Sequence, residues 1–310
     1  MSYHYAPPPP VSAGVMCENN MVEQETLKDW LKTNCPLFWS FLDRKAQSTL
    51  PIGIVEYLGT GSTSEIEEGK VNLRTIDQHL TDLVSLCGKQ KVGDNYRKDF
   101  SRVNSESKLA EIFCEIALCV KVSRYSGSLE LRPSTGKRTF SDCQFRINEH
   151  DVFGEVKRYQ DSWLYIEKET DNNAQKIPFA RSICKSLPEE KPSNTARPRY
   201  MDIQSKLENV YRQFPNGTIN ILFIFHPSLG QSKNYLIQTM IGEANCLREE
   251  RDLVLEKDGL FARKEWNNIS ACCLAIVYPE SMVMFPAIIE NPRSQNPVPE
   301  NIIKKMKSHT

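Results

Sequence analysis

The apolar run TINILFIFH, residues 218–226, is the feature that most limits what this chain can fold into. Its side chains are apolar on both faces of an extended strand, the pattern of a central strand covered by helices on both sides. Patterns typical of helices and of short strands alternate before and after this run. Their order (helix, strands, helix, buried strand, helix, strands) predicts an α/β fold in which helices flank a central sheet.

The segments around the buried run predict the individual elements. Residues 104–122 predict a helix capped by Asn104 or Ser105, because both side chains can accept from the first backbone N–H groups of a helix. Helical patterns also predict helices within 201–214 and 233–253. Strands are expected at 128–132, in a hairpin over 142–157, and near 269–278 and 281–289.

Composition divides the chain into three parts. Residues 1–20 contain a proline run, which predicts a disordered arm. Residues 21–100 predict a helical accessory region: a helix over 21–44 interrupted at Pro36, a glycine- and serine-rich connector over 58–70, and an amphipathic helix over 71–88. We expect residues 101–310 to form the α/β domain that carries the chemistry.

The overall charge excludes a general electrostatic attraction to nucleic acid or membranes. Lysine plus arginine and aspartate plus glutamate each number 39, so the formal net charge is zero. A nucleic-acid surface would therefore have to be a local basic patch. The first residues lack a basic leader before an apolar core, and no apolar run is long enough to cross a bilayer. We therefore expect a cytoplasmic protein that makes no membrane contact.

The stretch FSDCQFRINEHDVFGEVKR, residues 140–158, predicts a hairpin of strands 142–147 and 152–157. In the simplest antiparallel register Ile147 faces Val152, which places Asp142 opposite Lys157. Side chains alternate between the two faces of a strand. One face then collects the apolar or small residues Cys143, Phe145, Ile147, Val152, Gly154 and Val156. The other face collects Asp142, Gln144, Arg146, Phe153, Glu155 and Lys157.

Two acids and one amine therefore share a face of the predicted hairpin. Directly opposed residues have Cβ atoms about 5 Å apart, and diagonal neighbours such as Asp142 and Glu155 about 7–8 Å apart. Carboxylates at that separation can share a divalent cation, and Mg²⁺ accepts one or two carboxylates while keeping several waters. The alternative is a solvent-facing hairpin in which Asp142 and Lys157 form an ordinary surface pair.

A third acid is expected from the helix that precedes the hairpin, where Glu106, Glu111 and Glu115 compete. At 100° per residue, Glu106 lies about 60° and Glu111 about 200° from Leu109 in the apolar stripe. We therefore favour Glu106 and expect Glu111 and Glu115 on a solvated face. The competing interpretation is that Glu106 only stabilises the first turn of the helix through its dipole.

A helix acid followed by Asp142 and by Glu155-Val156-Lys157 resembles the PD-(D/E)xK, or restriction-endonuclease-like, nuclease superfamily. The resemblance covers roughly residues 104–226, with Ser141 at the proline of the motif. It implies a mixed sheet flanked by helices and hydrolysis of phosphodiesters, usually in DNA, with Mg²⁺ as cofactor and Mn²⁺ as an alternative. By the same resemblance Asp142, Glu155, Glu106 and the Val156 carbonyl are metal ligands, and Lys157 orients the attacking water.

Weaker candidates for nucleic-acid contacts lie after the hairpin: Gln204 and Lys206 on a predicted helix, and a basic set that includes Arg158, Arg197 and Arg199. Basic residues of this kind can contact a phosphate backbone, and they can also simply be solvated. The resemblance suggests a restriction or defence enzyme and allows a homodimer. Two alternatives stay open: a nuclease-like module that binds nucleic acid or protein without cutting, and an unrelated α/β protein.

Overall fold

The computed structural model describes residues 25–59, 63–135, 141–158, 199–225, 232–242, 254–277 and 283–308. Its centre is an open sheet of six strands that lie side by side in chain order. The strands are β1 Leu129–Leu131, β2 Cys143–Ile147, β3 His150–Arg158, β4 Ile219–Phe225, β5 Ala271–Val277 and β6 Val283–Glu290. The predicted disordered arm, residues 1–20, lies outside the described residues.

The sheet is mixed. The β3–β4 and β4–β5 pairs are parallel, whereas β1–β2, β2–β3 and β5–β6 are antiparallel. All seven residues of β4 are buried, because a strand on each side and helices over both faces exclude water. The prediction of a central buried strand in an α/β sheet is therefore confirmed.

Helices lie on both faces of this sheet. They are α1 (residues 25–34), α2 Pro36–Phe41, α3 Arg44–Ser48, α4 Ile52–Gly59, α5 Thr63–Cys87, α6 Lys89–Ser101, α7 Glu106–Ser123, α8 Arg199–Leu207, α9 Ser232–Ile241 and α10 Glu300–Ser308. Short 3₁₀ helices are Val210–Gln213, Leu260–Ala262 and Lys264–Asn268. No helix in these ranges is long and apolar enough to cross a membrane.

Two hydrophobic cores sandwich the sheet. On one face, helices α1–α7 and α10 pack with alternate residues of β4, such as Ile221 and Phe223. On the other face, α8, α9 and the 3₁₀ helices pack with the intervening residues Leu222 and Ile224. The helices before residue 101 thus share a continuous core with the sheet. The domain boundary at residues 100/101 stays a prediction.

Helix α7 is the central element of the first core. It begins after Ser105, whose side chain accepts from the Lys108 backbone N–H, so Ser105 rather than Asn104 is the cap. The helix lies between the sheet and the helices α4 and α5. Every residue from Ile112 to Val122 is buried for this reason. A helix buried on all sides has no polar face from which its orientation could be inferred.

Three expectations about local structure were wrong or incomplete. The glycine- and serine-rich connector over 58–70 is largely helical, because α5 already begins at Thr63. Helix α6, residues 89–101, was not predicted, since its polar sequence shows only a sparse apolar stripe. Of the helix expected over 233–253, the structure describes α9, which ends at Ile241.

The hairpin register also differs from the prediction. A turn of two residues joins β2 to β3, so Ile147 pairs with His150 and Phe145 with Val152. The first turn residue, Asn148, has φ 56°, a left-handed conformation that asparagine tolerates well. Compared with the expected four-residue turn, the register moves by two residues. A two-residue shift preserves the faces, and Cys143, Phe145 and Ile147 are buried as predicted.

The close packing of the hairpin can be tested at Gly154. A Cβ at this position would lie 2.8 Å from the Cys143 Sγ and 3.2 Å from the Phe223 ring. We expect G154A to lower the free energy of unfolding by about 1–3 kcal/mol through overpacking. The added cost should be smaller in a C143A background, where the nearest atom is gone. Urea denaturation of the four variants in the cycle measures both effects.

The matched control is G127A, because a Cβ at Gly127 would meet only the Arg146 carbonyl oxygen, at 3.9 Å. We expect this substitution to change the free energy of unfolding by less than about 0.5 kcal/mol. Equal costs for G154A in the parent and C143A backgrounds would contradict the assigned contact between residues 143 and 154.

Candidate active site

The shifted register brings two acids opposite each other. The last paired residues of β2 and β3 are Cys143 and Gly154. Continuing this register by one residue on each strand places Asp142 opposite Glu155 rather than Lys157. Direct opposition puts their Cβ atoms about 5 Å apart, closer than the diagonal separation expected from the sequence. The predicted pair of Asp142 with Lys157 is therefore corrected, although the three residues still share one face.

Hydrogen bonds hold the three side chains at the end of the hairpin. The Val156 backbone N–H donates to the Asp142 Oδ2 at 2.7 Å, just beyond the last β2–β3 pair. The Lys157 Nζ donates to the Glu155 Oε1 at 2.5 Å. Glu155 is 1% exposed, whereas the Lys157 side chain is 34% exposed. One acid is thus fully buried, and the amine spans from it toward solvent.

The surroundings of Asp142 and Glu155 disfavour the charged form of both carboxyls, so both pKa values are raised. Burial raises the pKa of the Asp142 carboxyl well above its ordinary range, and the charges of Glu155 and Glu115 raise it further. Burial also raises the pKa of Glu155, although the ammonium of Lys157 opposes this. A bound proton or a nearby cation would therefore stabilise each of the two acids.

Lys157 remains charged in this environment. Burial acts to lower the pKa of its ammonium group, but the charges of Glu155 and Asp142 outweigh burial and raise it. Its positive charge is therefore fixed next to the two acids, and the amine acts as a hydrogen-bond donor rather than as a base.

The acids offer ligands suited to an oxygen-loving cation. The Glu155 Oε2 is buried and has no hydrogen-bond partner among the described residues. Within the same residues, no group of three or more His, Cys, Asp or Glu side chains is arranged to hold a metal ion. A cation would thus find the two carboxylates Asp142 and Glu155 and complete its shell with water. Two carboxylates completed by water suit Mg²⁺ or Mn²⁺.

The helix acids nearest to this pair are Glu115 and Glu111, not Glu106. The charge of Glu115 acts on both Asp142 and Glu155, and that of Glu111 acts on Lys157. Nine residues of helix place Glu106 about 14 Å from Glu115 along the axis and about 180° around it. The backbone N–H of Glu106 donates to the Glu56 side chain of α4, at 3.3 Å.

The preference for Glu106 and the solvated position of Glu115 are therefore corrected. The apolar stripe of α7 does not mark the side that faces the sheet, because the helix is buried on all sides from Ile112 to Val122. Glu115 is 6% exposed. Glu111 forms an ion pair with Lys108 at 2.9 Å and stays partly exposed.

Arg132 neutralises Glu115 and was not found from the sequence. Its guanidinium donates to both Glu115 oxygens, at 2.8 and 2.9 Å, in a bidentate pair. The same group contacts Asp99 of α6 at 2.6 Å and lies 4.7 Å from the centre of the Tyr96 ring. The Arg132 backbone N–H donates to the Asp142 carbonyl at 3.0 Å. Arg132 thus joins the helical region to the hairpin acids.

Gln204, expected as a phosphate or water contact, has a structural role. Its amide donates to the backbone carbonyls of Thr239 and Asp258, at 3.1 and 2.7 Å. Its oxygen faces Arg263 at 3.5 Å. Both donor hydrogens of the amide are therefore occupied in joining α8 to α9 and to the segment before the 3₁₀ helix at residue 260.

The basic candidates do not form one patch in the described residues. Burial raises the pKa of the Cys114 thiol to about 12 and the charge of Arg158 opposes this, so Arg158 lies near α7. Lys206 is exposed on α8, on the other face of the sheet. Arg199 begins α8, and Arg197 lies outside the described residues. Their roles as phosphate contacts stay predictions.

Comparison of the chain with protein-family models, curated proteins and solved structures finds no match. The function of the site must therefore be argued from its own residues.

The strained acids predict a pH dependence of stability that D142N should reduce. A carboxyl whose pKa rises on folding keeps its proton up to a higher pH in the folded state than in the unfolded state. The protein therefore loses stability as the pH rises from about 4 through the folded pKa values. D142N removes one charge and can still accept from the Val156 N–H. We expect it to be more stable than the parent at neutral pH, by about 1.4 kcal/mol per unit of raised pKa.

Thermal unfolding of the parent and D142N across the acid-to-neutral range measures this effect. The stability difference should shrink toward acid pH, where the parent is protonated. A difference that is constant with pH would show that Asp142 titrates normally.

The ion pair of Arg132 with Glu115 predicts strong coupling between the two residues. R132M leaves the buried Glu115 carboxylate without its main partner, which should cost about 3–5 kcal/mol of unfolding free energy. E115Q removes that charge, so adding R132M to E115Q should cost much less. A double-mutant cycle by urea denaturation gives the coupling energy, and strictly additive costs would contradict the pair.

Proposed function

We propose that this protein is a Mg²⁺-dependent nuclease that hydrolyses phosphodiester bonds in DNA. The observation that carries the proposal is the pairing of Asp142 with Glu155, whose Oε2 is buried without a partner beside the ammonium of Lys157. Burial raises the pKa of both acids, and the charge of Glu155 raises that of Asp142 further, so the pair offers a place for a divalent cation. Perturbed carboxyls of this kind are frequent at catalytic sites.

Each residue has a role in the proposed reaction. Asp142 and Glu155 would hold Mg²⁺, which would polarise a phosphoryl oxygen and lower the pKa of a nearby water. The Val156 N–H donates to the Asp142 Oδ2 and so holds this carboxylate at the end of the hairpin. Lys157 donates hydrogen bonds to the attacking water or to the phosphate, where negative charge builds up. The Val156 carbonyl is proposed as a further ligand.

The fold supports the same proposal. A hairpin that carries the acids, followed by a parallel strand reached through α8, resembles the core of restriction-endonuclease-like proteins, in which the mixed sheet is flanked by helices. By this resemblance DNA is the expected substrate, and a restriction or defence role and a homodimer are further parts of the proposal. The helix acid of this core would be Glu115 or Glu111.

A nuclease-like module that binds nucleic acid without cutting is the second candidate. Two observations favour it: Lys157 already forms an ion pair with Glu155, and Glu115 is held by Arg132. If both pairs persist with substrate bound, neither side chain is free for catalysis. The two candidates differ in whether DNA is cut.

Incubation of purified protein with supercoiled plasmid in Mg²⁺, in Mn²⁺ and in EDTA tests the proposal. We expect cutting in both metals and none in EDTA. D142N and K157M should each reduce the rate by about a hundredfold or more, because each removes a group that stabilises the transition state. Glu149, exposed in the turn of the same hairpin, provides the control E149Q, which should cut like the parent.

Melting curves establish that the variants are folded before their rates are compared. Equal cutting by the parent, D142N and K157M would contradict the site. A folded parent that binds DNA in a gel shift but cuts nothing in either metal would support the binding module instead.

A further inference from the structure

A cavity of about 610 Å³ lies among the loops and 3₁₀ helices on the α8 side of the sheet. Tyr211 and Arg212 of the 3₁₀ helix Val210–Gln213 form one wall, and Lys264, Glu265 and Asn267 form another. Gln295, after β6, completes the rim. The proposed metal site does not use this cavity, and a volume of this size suits a single small ligand.

Asparagine side chains brace the walls of the cavity. Asn220, fully buried at the start of β4, donates to the backbone carbonyls of Pro215 and Asn268, at 2.8 and 2.6 Å. The Asn268 amide donates to the Tyr211 carbonyl at 2.9 Å. Asn291 donates to the Trp266 and Ile269 carbonyls at 3.0 and 2.9 Å. These bonds fix the backbone around the opening, so the cavity is formed before a ligand arrives.

The side chains at the opening suit a planar ring next to one negative charge. The Arg212 guanidinium lies 5.6 Å from the centre of the Tyr211 ring, and its Nε donates to the Tyr211 hydroxyl at 3.2 Å. Nucleobases stack on both aromatic rings and guanidinium planes. Arg212 and Lys264 supply two positive charges and Glu265 one negative charge, which leaves one positive charge to match one phosphodiester.

A hydrogen bond connects the cavity wall to the hairpin acids. The hydroxyl of Ser141, which is fully buried, donates to the Gln213 carbonyl at 3.0 Å. Ser141 directly precedes Asp142, and Gln213 directly follows Arg212. The wall that carries Tyr211 and Arg212 is thus anchored to the residue next to the proposed metal ligand.

We propose that this cavity binds one nucleotide of a single-stranded DNA segment, with its base against Tyr211 and Arg212 and its phosphate at Lys264 and Arg212. The identity of the ligand as part of the DNA substrate rests on the proposed nuclease function. The braced walls, the single net positive charge and the anchor to Ser141 together make the cavity a positioning site for the strand that reaches Asp142 and Glu155.

Fluorescence anisotropy of a labelled oligothymidylate of about eight nucleotides tests the proposal, with EDTA present so that no strand is cut. R212Q and K264Q should each weaken binding by about tenfold, and each should reduce the slope of log affinity against log salt by about 0.7. Y211L should weaken binding without changing that slope. Lys89, exposed on α6 on the opposite face of the sheet, provides the charge-matched control K89Q, which should bind like the parent.

Competition experiments identify the ligand. Unlabelled thymidine monophosphate should displace the oligonucleotide from the parent at lower concentration than inorganic phosphate does. If phosphate competes equally well, the base contributes nothing and the nucleotide assignment is wrong. If folded R212Q and K264Q bind like K89Q, the cavity is not the binding site.

Plasmid cutting separates this proposal from the nuclease proposal. If the parent cuts and the cavity variants bind and cut like K89Q, the nuclease proposal stands and the cavity proposal fails. If the parent never cuts but R212Q and K264Q lose oligonucleotide binding, the cavity proposal stands and the nuclease proposal fails.

Discussion

Asp142 and Glu155 face each other at the end of a tight hairpin, and this opposition governs the electrostatics of the whole site. The two-residue turn at Asn148 sets the register, and the register places an acid across from an acid. Lys157, two residues beyond Glu155 on the same strand face, then lies close enough to donate to it. A four-residue turn would have placed Lys157 opposite Asp142 and kept the acids further apart. The length of one turn thus decides whether the hairpin carries a neutral surface pair or a strained pair of carboxylates.

The helices before the sheet contribute to the same electrostatics, although their sequence gave no sign of chemistry. Helix α7 is buried between the sheet and α4 and α5, so the polar side chain of Glu115 needs a partner there. Arg132 is that partner, and it is held in turn by Asp99 and Tyr96 of α6. Both oxygens of the third carboxylate are therefore occupied by Arg132. The charge of Glu115 still raises the pKa of Asp142, in the same direction as burial does.

The sequence predicted those features that depend on local alternation, and it failed on those that depend on distant partners. β4 is buried on both faces, as a strand of seven residues in which only Asn220 is polar predicts for the centre of such a sheet. The faces of the hairpin were also correct, because the two-residue register error preserves the alternation of side chains. The choice of Glu106 failed because α7 is buried on all sides from Ile112 to Val122, so its apolar stripe does not show which side faces the sheet. Arg132 could not be found, since its partners at positions 96, 99 and 115 are brought together only by the packing of α6 and α7.

The distribution of partners around the three acids indicates where the site is incomplete. Glu115 has both oxygens bound by Arg132, and Glu155 has one oxygen bound by Lys157. Asp142 has a backbone N–H on one oxygen, and the second oxygen of Glu155 is buried without a partner among the described residues. The negative charge that lacks a compensating partner therefore lies between Asp142 and Glu155. A shared proton can neutralise it in part, and a divalent cation can neutralise it more fully. A divalent cation bound there would compete with protons for the same oxygens, so its affinity would increase as the pH rises.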